Sequence, residues 1–147
     1  MTTQAMTPQE RPEKSAAAMW VNDRASKWLG MRLHAVGPGT ATMSFEVQDH
    51  HLNGHDICHG GYIFTLADST FAFACNSYNQ VTVAQENQIT FLSPGRGGER
   101  LTAHAEETAR AGRSGVYDVT VTGEDGRKVA VFRGLSRSVK GQNFEEE

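Results

Sequence analysis

A single carboxylate, Asp68, interrupts the apolar run 62–75, which opens directly after His59-Gly60-Gly61. A run apolar on nearly every face reads as a buried helix, and an ionised carboxylate inside one is costly unless it has partners. A capped or salt-bridged structural Asp is one way to meet that cost. A chemical role is the other. Gly60 and Gly61 read either as plain turn glycines or as a helix start whose N–H groups lack intrahelical acceptors and can polarise a carbonyl oxygen. A donor end and a carboxylate on one helix point to acyl chemistry, with Asp68 as general base or as nucleophile. The two groups are eight positions apart, roughly 12 Å along a helix, and so cannot reach one carbonyl within a subunit. Two such helices running antiparallel across a dimer axis would bring Asp68 of one chain to Gly60 of the other. The expected active unit is therefore an obligate homodimer with two composite sites.

Other reactive patterns are weaker. His51, His55 and His59 recur every fourth position, but Asn53-Gly54 breaks any helix that would align them and no Cys or Glu completes a ligand set, so no metal site is expected. The loops 94–98 and 112–115 are glycine-rich without the lysine and hydroxyl pairing of a nucleotide P-loop, and read as turns.

The elements that must position these groups follow from the pattern. Thr7-Pro8-Gln9-Glu10 has the layout of a capping box with proline at the first helical position, and Trp20, Ala25 and Trp28-Leu29 give the next segment a partly apolar face that Gly30 ends, which predicts one N-terminal helix. Residues 31–36 and 40–47 alternate around Gly37-Pro38-Gly39, a hairpin. After the central helix, strand patterns cover about 81–92, 100–109, 114–122 and 128–139, with Tyr117, Val119 and Val121 alternating against Asp118, Thr120 and Thr122. Two strands, a buried helix and four strands predict an α+β fold with a mostly antiparallel sheet.

At 147 residues the chain reads as one domain, 1–147, with 1–8 and 141–147 as disordered tails and Glu145-Glu146-Glu147 as a solvated end. The net charge of -3 and the absence of a Lys/Arg run argue against a nucleic-acid partner. Cys58 and Cys75 do not make a disulfide framework, and no segment reads as an export signal or membrane span, so a reducing cytoplasm is the expected compartment.

The ordered set Asn53-Gly54-His55-Asp56-Ile57-Cys58-His59-Gly60-Gly61, Leu66-Ala67-Asp68, Ala74-Cys75-Asn76-Ser77, Ile89-Thr90-Phe91-Leu92-Ser93-Pro94-Gly95, Gly115-Val116-Tyr117-Asp118 and Val131-Phe132-Arg133-Gly134 resembles the hotdog-fold acyl-CoA thioesterases of the PaaI (phenylacetate-degradation thioesterase) family, over about residues 15–140. The resemblance implies a sheet wrapped around a long central helix and hydrolysis of an acyl-CoA to the free acid and CoA. Aryl-acetyl substrates follow from it, phenylacetyl-CoA or hydroxylated relatives, as does a dimer of dimers, a homotetramer. It also implies that the Gly60 N–H polarises the thioester, that His59 orients it or caps the helix, that Asn22 assists, and that Ser69 holds water or the carboxylate. A Ser69 bonded to its own helix is the plainer alternative. Many members carry a basic residue where this chain has Ser93. Coenzyme A belongs to the substrate and no cofactor is expected; Arg96, Arg113, Arg137 and Lys140 are candidates for holding its phosphates. The rival functions are a non-catalytic acyl-CoA binder or sensor on the same fold and a broad-range medium-chain thioesterase.

Overall fold

Thr7 and Glu10 bond reciprocally where the chain enters its first helix: Thr7 Oγ1 accepts from Glu10 N at 3.1 Å, and the Glu10 carboxylate accepts from Thr7 N at 2.7 Å. The computed structural model describes residues 5–146, and this capping box leads into α1, Glu10–Val21. The single helix expected up to Gly30 is in fact two. Asp23 leaves helical geometry and caps α2, Arg24–Trp28, its Oδ1 accepting from Ser26 N at 2.9 Å and its Oδ2 from Ser26 Oγ at 2.7 Å. An Asp that can satisfy free N–H groups starts a new helix more readily than it continues an old one.

Six strands follow: β1 Arg32–Gly37, β2 Thr40–Glu46, β3 Thr82–Phe91, β4 Arg100–Ala111, β5 Ser114–Thr122 and β6 Lys128–Ser138. They pair antiparallel throughout in the order β1-β2-β4-β5-β6-β3, and α3, Gly60–Cys75, packs against their inner face. This is the hotdog arrangement that the resemblance implies. Inward residues of the middle strands, among them Phe45, Leu101, Tyr117, Val119 and Val121, close on Leu66 and Phe71 of the helix. The helix sits close because Gly134 on β6 has no side chain: a Cβ there would lie 2.7 Å from the Phe71 ring.

One irregularity matters for the site. Along β3 the partners on β6 run Ala84 with Ser136 and then Glu86 with Leu135, so Gln85 is an extra, bulged residue. A bulge of one residue inverts the alternation beyond it. Asn87, opposite the buried Gly134, and Ile89 therefore turn toward the helix, while Glu86, Gln88 and Thr90 are exposed.

The C-terminal segment departs from the expectation of a free tail. Asn79, held at φ 60, accepts from Asn143 N and Phe144 N at 3.0 and 3.1 Å, and its Nδ2 donates to Phe144 O at 3.0 Å. Asn143 Nδ2 reaches Ser15 Oγ of α1 at 2.8 Å, and Glu146 pairs with Arg11. Hydrogen bonds from Arg11 and Asn79 pull the Glu146 carboxyl down to about 2. Glu147 and residues 1–4 of the expected tails lie outside the described residues.

Candidate active site

The approach to α3 is pinned from both sides. Cys58 N donates to Gly95 O and His59 N to His51 O, each at 2.8 Å, while Asn53 closes the preceding loop by donating its N–H to Ile57 O at 2.8 Å and accepting from His55 N at 2.9 Å. His59, at φ -59 and ψ 132, is the N-cap, and its Nδ1 accepts from Gly61 N at 2.9 Å. That bond uses the lone pair of Nδ1. The cap thus uses the Gly61 N–H and leaves the Gly60 N–H without an acceptor among the described residues. Space above Gly60 is tight: a Cβ would stand 2.9 Å from the Phe91 ring, which covers this end of the helix from β3.

Asp68, half-buried on the same helix, meets the strand partner that the bulge turns inward. Asn87 Nδ2 donates to Asp68 Oδ1 at 2.7 Å, and Oδ2 has no bond among the described residues. Burial raises the Asp68 pKa above the usual carboxylate value, and the Asn87 hydrogen bond opposes that rise without cancelling it. Phe91 stands beside the N-terminal end of α3 and Asn87 beside its middle, at Asp68. Their separation of four strand positions, about 13 Å, agrees with roughly 12 Å from Gly60 to Asp68 along α3.

Ser69 bonds neither its own helix nor Asp68. Its Oγ lies 3.0 Å from Ser26 Oγ, which already donates to Asp23 Oδ2, so Ser69 gives its proton to Ser26 and keeps its lone pairs open as acceptors. Asn22 is exposed at the C-terminus of α1, one residue before that cap, and its side chain makes no hydrogen bond among the described residues. Residues 49–51 form a 3-10 turn that ends at His51, so the three spaced histidines do not share a helix.

The four basic candidates divide into two groups. Arg96 bridges to Ile57 just ahead of the helix start and reaches the exposed Asp125 at 3.7 Å. Arg137 pairs across from Ser114, and Ser138 N donates to Arg113 O at 2.8 Å, which puts Arg113, Arg137 and nearby Lys140 at the far end of β6. The strand has 11 residues, about 33 Å from end to end, so one phosphate cannot touch both groups within a protomer.

Asn87 is the residue bonded to Asp68 that the sequence pattern missed. The stretch Gln85-Glu86-Asn87-Gln88 is polar throughout, and nothing in it reveals which member faces inward until the bulge is seen.

The model of the family named Thioesterase superfamily matches residues 55–130, just over half of the chain and including both Gly60 and Asp68. The chain belongs to the thioesterase superfamily. It is 41% identical over 128 residues to "Acyl-coenzyme A thioesterase PaaI" of Escherichia coli K12, an alignment covering 87% of this chain and 91% of the relative. The solved structure of the E. coli PaaI protein from the phenylacetic acid degradation operon superposes with a TM-score of 0.91 at 38% identity, covering 92% of this chain and 99% of that one. A Streptococcus mutans UA159 protein, solved bound to acetyl CoA, superposes with a TM-score of 0.73 at 27% identity over 76% of this chain and 90% of that one. A thioesterase must activate an attacking oxygen and stabilise the negative charge that develops on the thioester oxygen. An open N–H at the start of α3 and a carboxylate oxygen left free at its middle are groups of the right kind for these two tasks.

Proposed function

We propose that this thioesterase hydrolyses aryl-acetyl-CoA thioesters, phenylacetyl-CoA or ring-hydroxylated relatives, to the free acid and CoA in composite sites of a homodimer. The observation that carries the proposal is the placement of an unpaired Gly60 N–H and a half-buried, once-bonded Asp68 about 12 Å apart on one helix. The thioester oxygen takes the hydrogen bond from Gly60 of one subunit. Asp68 of the other subunit removes a proton from water through Oδ2, and the water oxygen attacks the carbonyl carbon. The oxyanion collapses, the C–S bond breaks, and CoA leaves as thiolate and takes up the proton held by Asp68, which is thereby restored to carboxylate. Ser69, with its lone pairs open, accepts a hydrogen bond from the second O–H of the water; His59 acts as the cap that leaves Gly60 free, and Asn22 assists from the end of α1.

Dimerisation is supported by the free edge of β3, whose backbone groups are unpaired on one side and which ends among the exposed Val83, Phe91 and Leu92. Pairing two such edges antiparallel also runs the two α3 helices antiparallel, as the composite site requires; two dimers then make the tetramer. The exposed cations Arg113, Arg137 and Lys140 hold the CoA phosphates, while Arg96 shares its charge with Asp125. Substrate class rests on the phenylacetic acid operon named for the E. coli relative and on the acetyl CoA of the S. mutans structure. A cytoplasmic setting fits the two free thiols. Initial rates on phenylacetyl-, hydroxyphenylacetyl-, benzoyl- and fatty acyl-CoAs, with released thiol measured at one enzyme concentration, test the reading. The expected order puts the two aryl-acetyl esters first; a preference for medium-chain fatty esters would replace it with the broad-range function, and binding without turnover would make the protein an acyl-CoA sensor.

A further inference from the structure

The bulge in β3 has a chemical consequence. Without the extra residue Gln85, the alternation set by Thr82 and Ala84 would aim Asn87 away from the helix and leave Asp68 with no partner among the described residues. We infer that Asn87 is a positioning residue, which holds Asp68 Oδ1 and so selects Oδ2 as the oxygen that reacts. The inference rests on the proposed role of Asp68 and is the same whether Oδ2 takes a proton from water or attacks the thioester itself.

Three features favour this role over a purely structural one. The amide orientation is forced, because the flipped side chain would set its carbonyl oxygen against a carboxylate oxygen. In the required orientation Asn87 Oδ1 is buried with no hydrogen-bond partner among the described residues, which is a cost to the fold. The donor is also neutral. An Arg or Lys here would form a stronger bond but would lower the carboxyl pKa by about 1–3 units and weaken it as a base. A neutral amide fixes the geometry while the burial that raises the Asp68 pKa still dominates. Other charges are kept away: the neighbouring Glu86 is exposed on the opposite face, Arg133 on β6 is engaged by Asp118, and Cys75, further along α3, is held protonated by burial.

The test uses the full chain with Asn87→Leu, close in volume but without a donor, and Asn87→Gln, which keeps the amide. For Asn87→Leu the expected result is a fall in kcat of about 10- to 100-fold with little change in KM, and an acid limb of the kcat/KM profile displaced to higher pH. Asn87→Gln restores most of the rate and the original limb. A titration of ¹³C-labelled Asp carboxyls by NMR, with Asp68 assigned by its loss in Asp68→Asn, reads the same upward displacement without catalysis. If Asp68→Asn is inactive while Asn87→Leu keeps its fold, its rate and its pH profile, the positioning role is overturned and the role of Asp68 stands. If Asp68→Asn turns over normally, the reading of Asp68 fails first and the NMR titration then reports only a hydrogen bond. A fall in rate that follows loss of circular dichroism, with Asn87→Gln no better, would make Asn87 structural.

Discussion

Two damaged chains should repair one another. The Asp68→Asn chain keeps an intact Gly60 N–H, and a Gly60→Pro chain keeps an intact Asp68. Proline suits this position: it is the first residue of α3, where the lost N–H has no helical acceptor, and His59 at φ -59 and ψ 132 already has the extended conformation favoured before proline. The ring must displace Phe91, a side chain 52% exposed at the proposed dimer edge, so dimer formation by the Gly60→Pro chain is checked first by size-exclusion chromatography. Each homodimer then lacks one half of both sites. A heterodimer has one site with both defects and one site with neither, so its expected rate is about half that of wild type per dimer. Co-expression with two different tags and tandem purification isolates that species, and thiol release measures it. Gly60→Ala, which adds a Cβ at 2.9 Å from the Phe91 ring but keeps the N–H, separates crowding from loss of the donor. A folded, purified heterodimer no faster than the two parents would refute the cross-subunit geometry.

Two further outcomes bear on Asp68. Asp68→Asn should lower kcat on the best substrate by about 10²-fold or more without loss of stability: because burial raises the folded pKa above the unfolded one, the ionised group costs stability above the unfolded value and costs nothing below it. The variant is therefore expected to melt at or above the wild-type temperature at pH 7, with the difference closing below about pH 4; a clearly lower Tm at pH 7 would contradict the burial argument. Single turnover in ¹⁸O-water with enzyme in excess should place label in the acid product on the first turnover and none on Asp68, and label recovered on Asp68 would assign it the nucleophilic role instead.

What could be read from the residues was set by local forces. The alternation of Tyr117, Val119 and Val121 gives β5 its inward face, and the apolar run after Gly61 gives α3, because each pattern is a direct imprint of one buried surface. Gly60 and Asp68 were visible for the same reason, as a gap and a charge in that imprint. The break between α1 and α2 was hidden because Asp23 reads equally as a helix surface residue or as a cap, and only its bonds to Ser26 decide. Asn87 was hidden because a bulge shifts parity without a mark in a uniformly polar stretch. The C-terminal segment was misread because Glu146 finds Arg11 from 135 positions away, a pairing that no local pattern contains.

That pairing gives assembly a direction in time. Arg11 and Ser15 are made early, yet their partners Glu146 and Asn143 follow every strand of the sheet in the chain. Domains begin to fold from the N-terminal side during synthesis, and α1 gains its partners in stages: Gln9 bonds Val36 O, Ser15 Oγ bonds Asn76 O, and Arg11 waits for Glu146. The same late residues secure Asn79 beyond the end of α3. A nascent chain stalled in β6 would therefore hold its first helix through Gln9 and Ser15 alone, and the clasp closes when residues 143–146 emerge: the first helix made is the last one fully fixed.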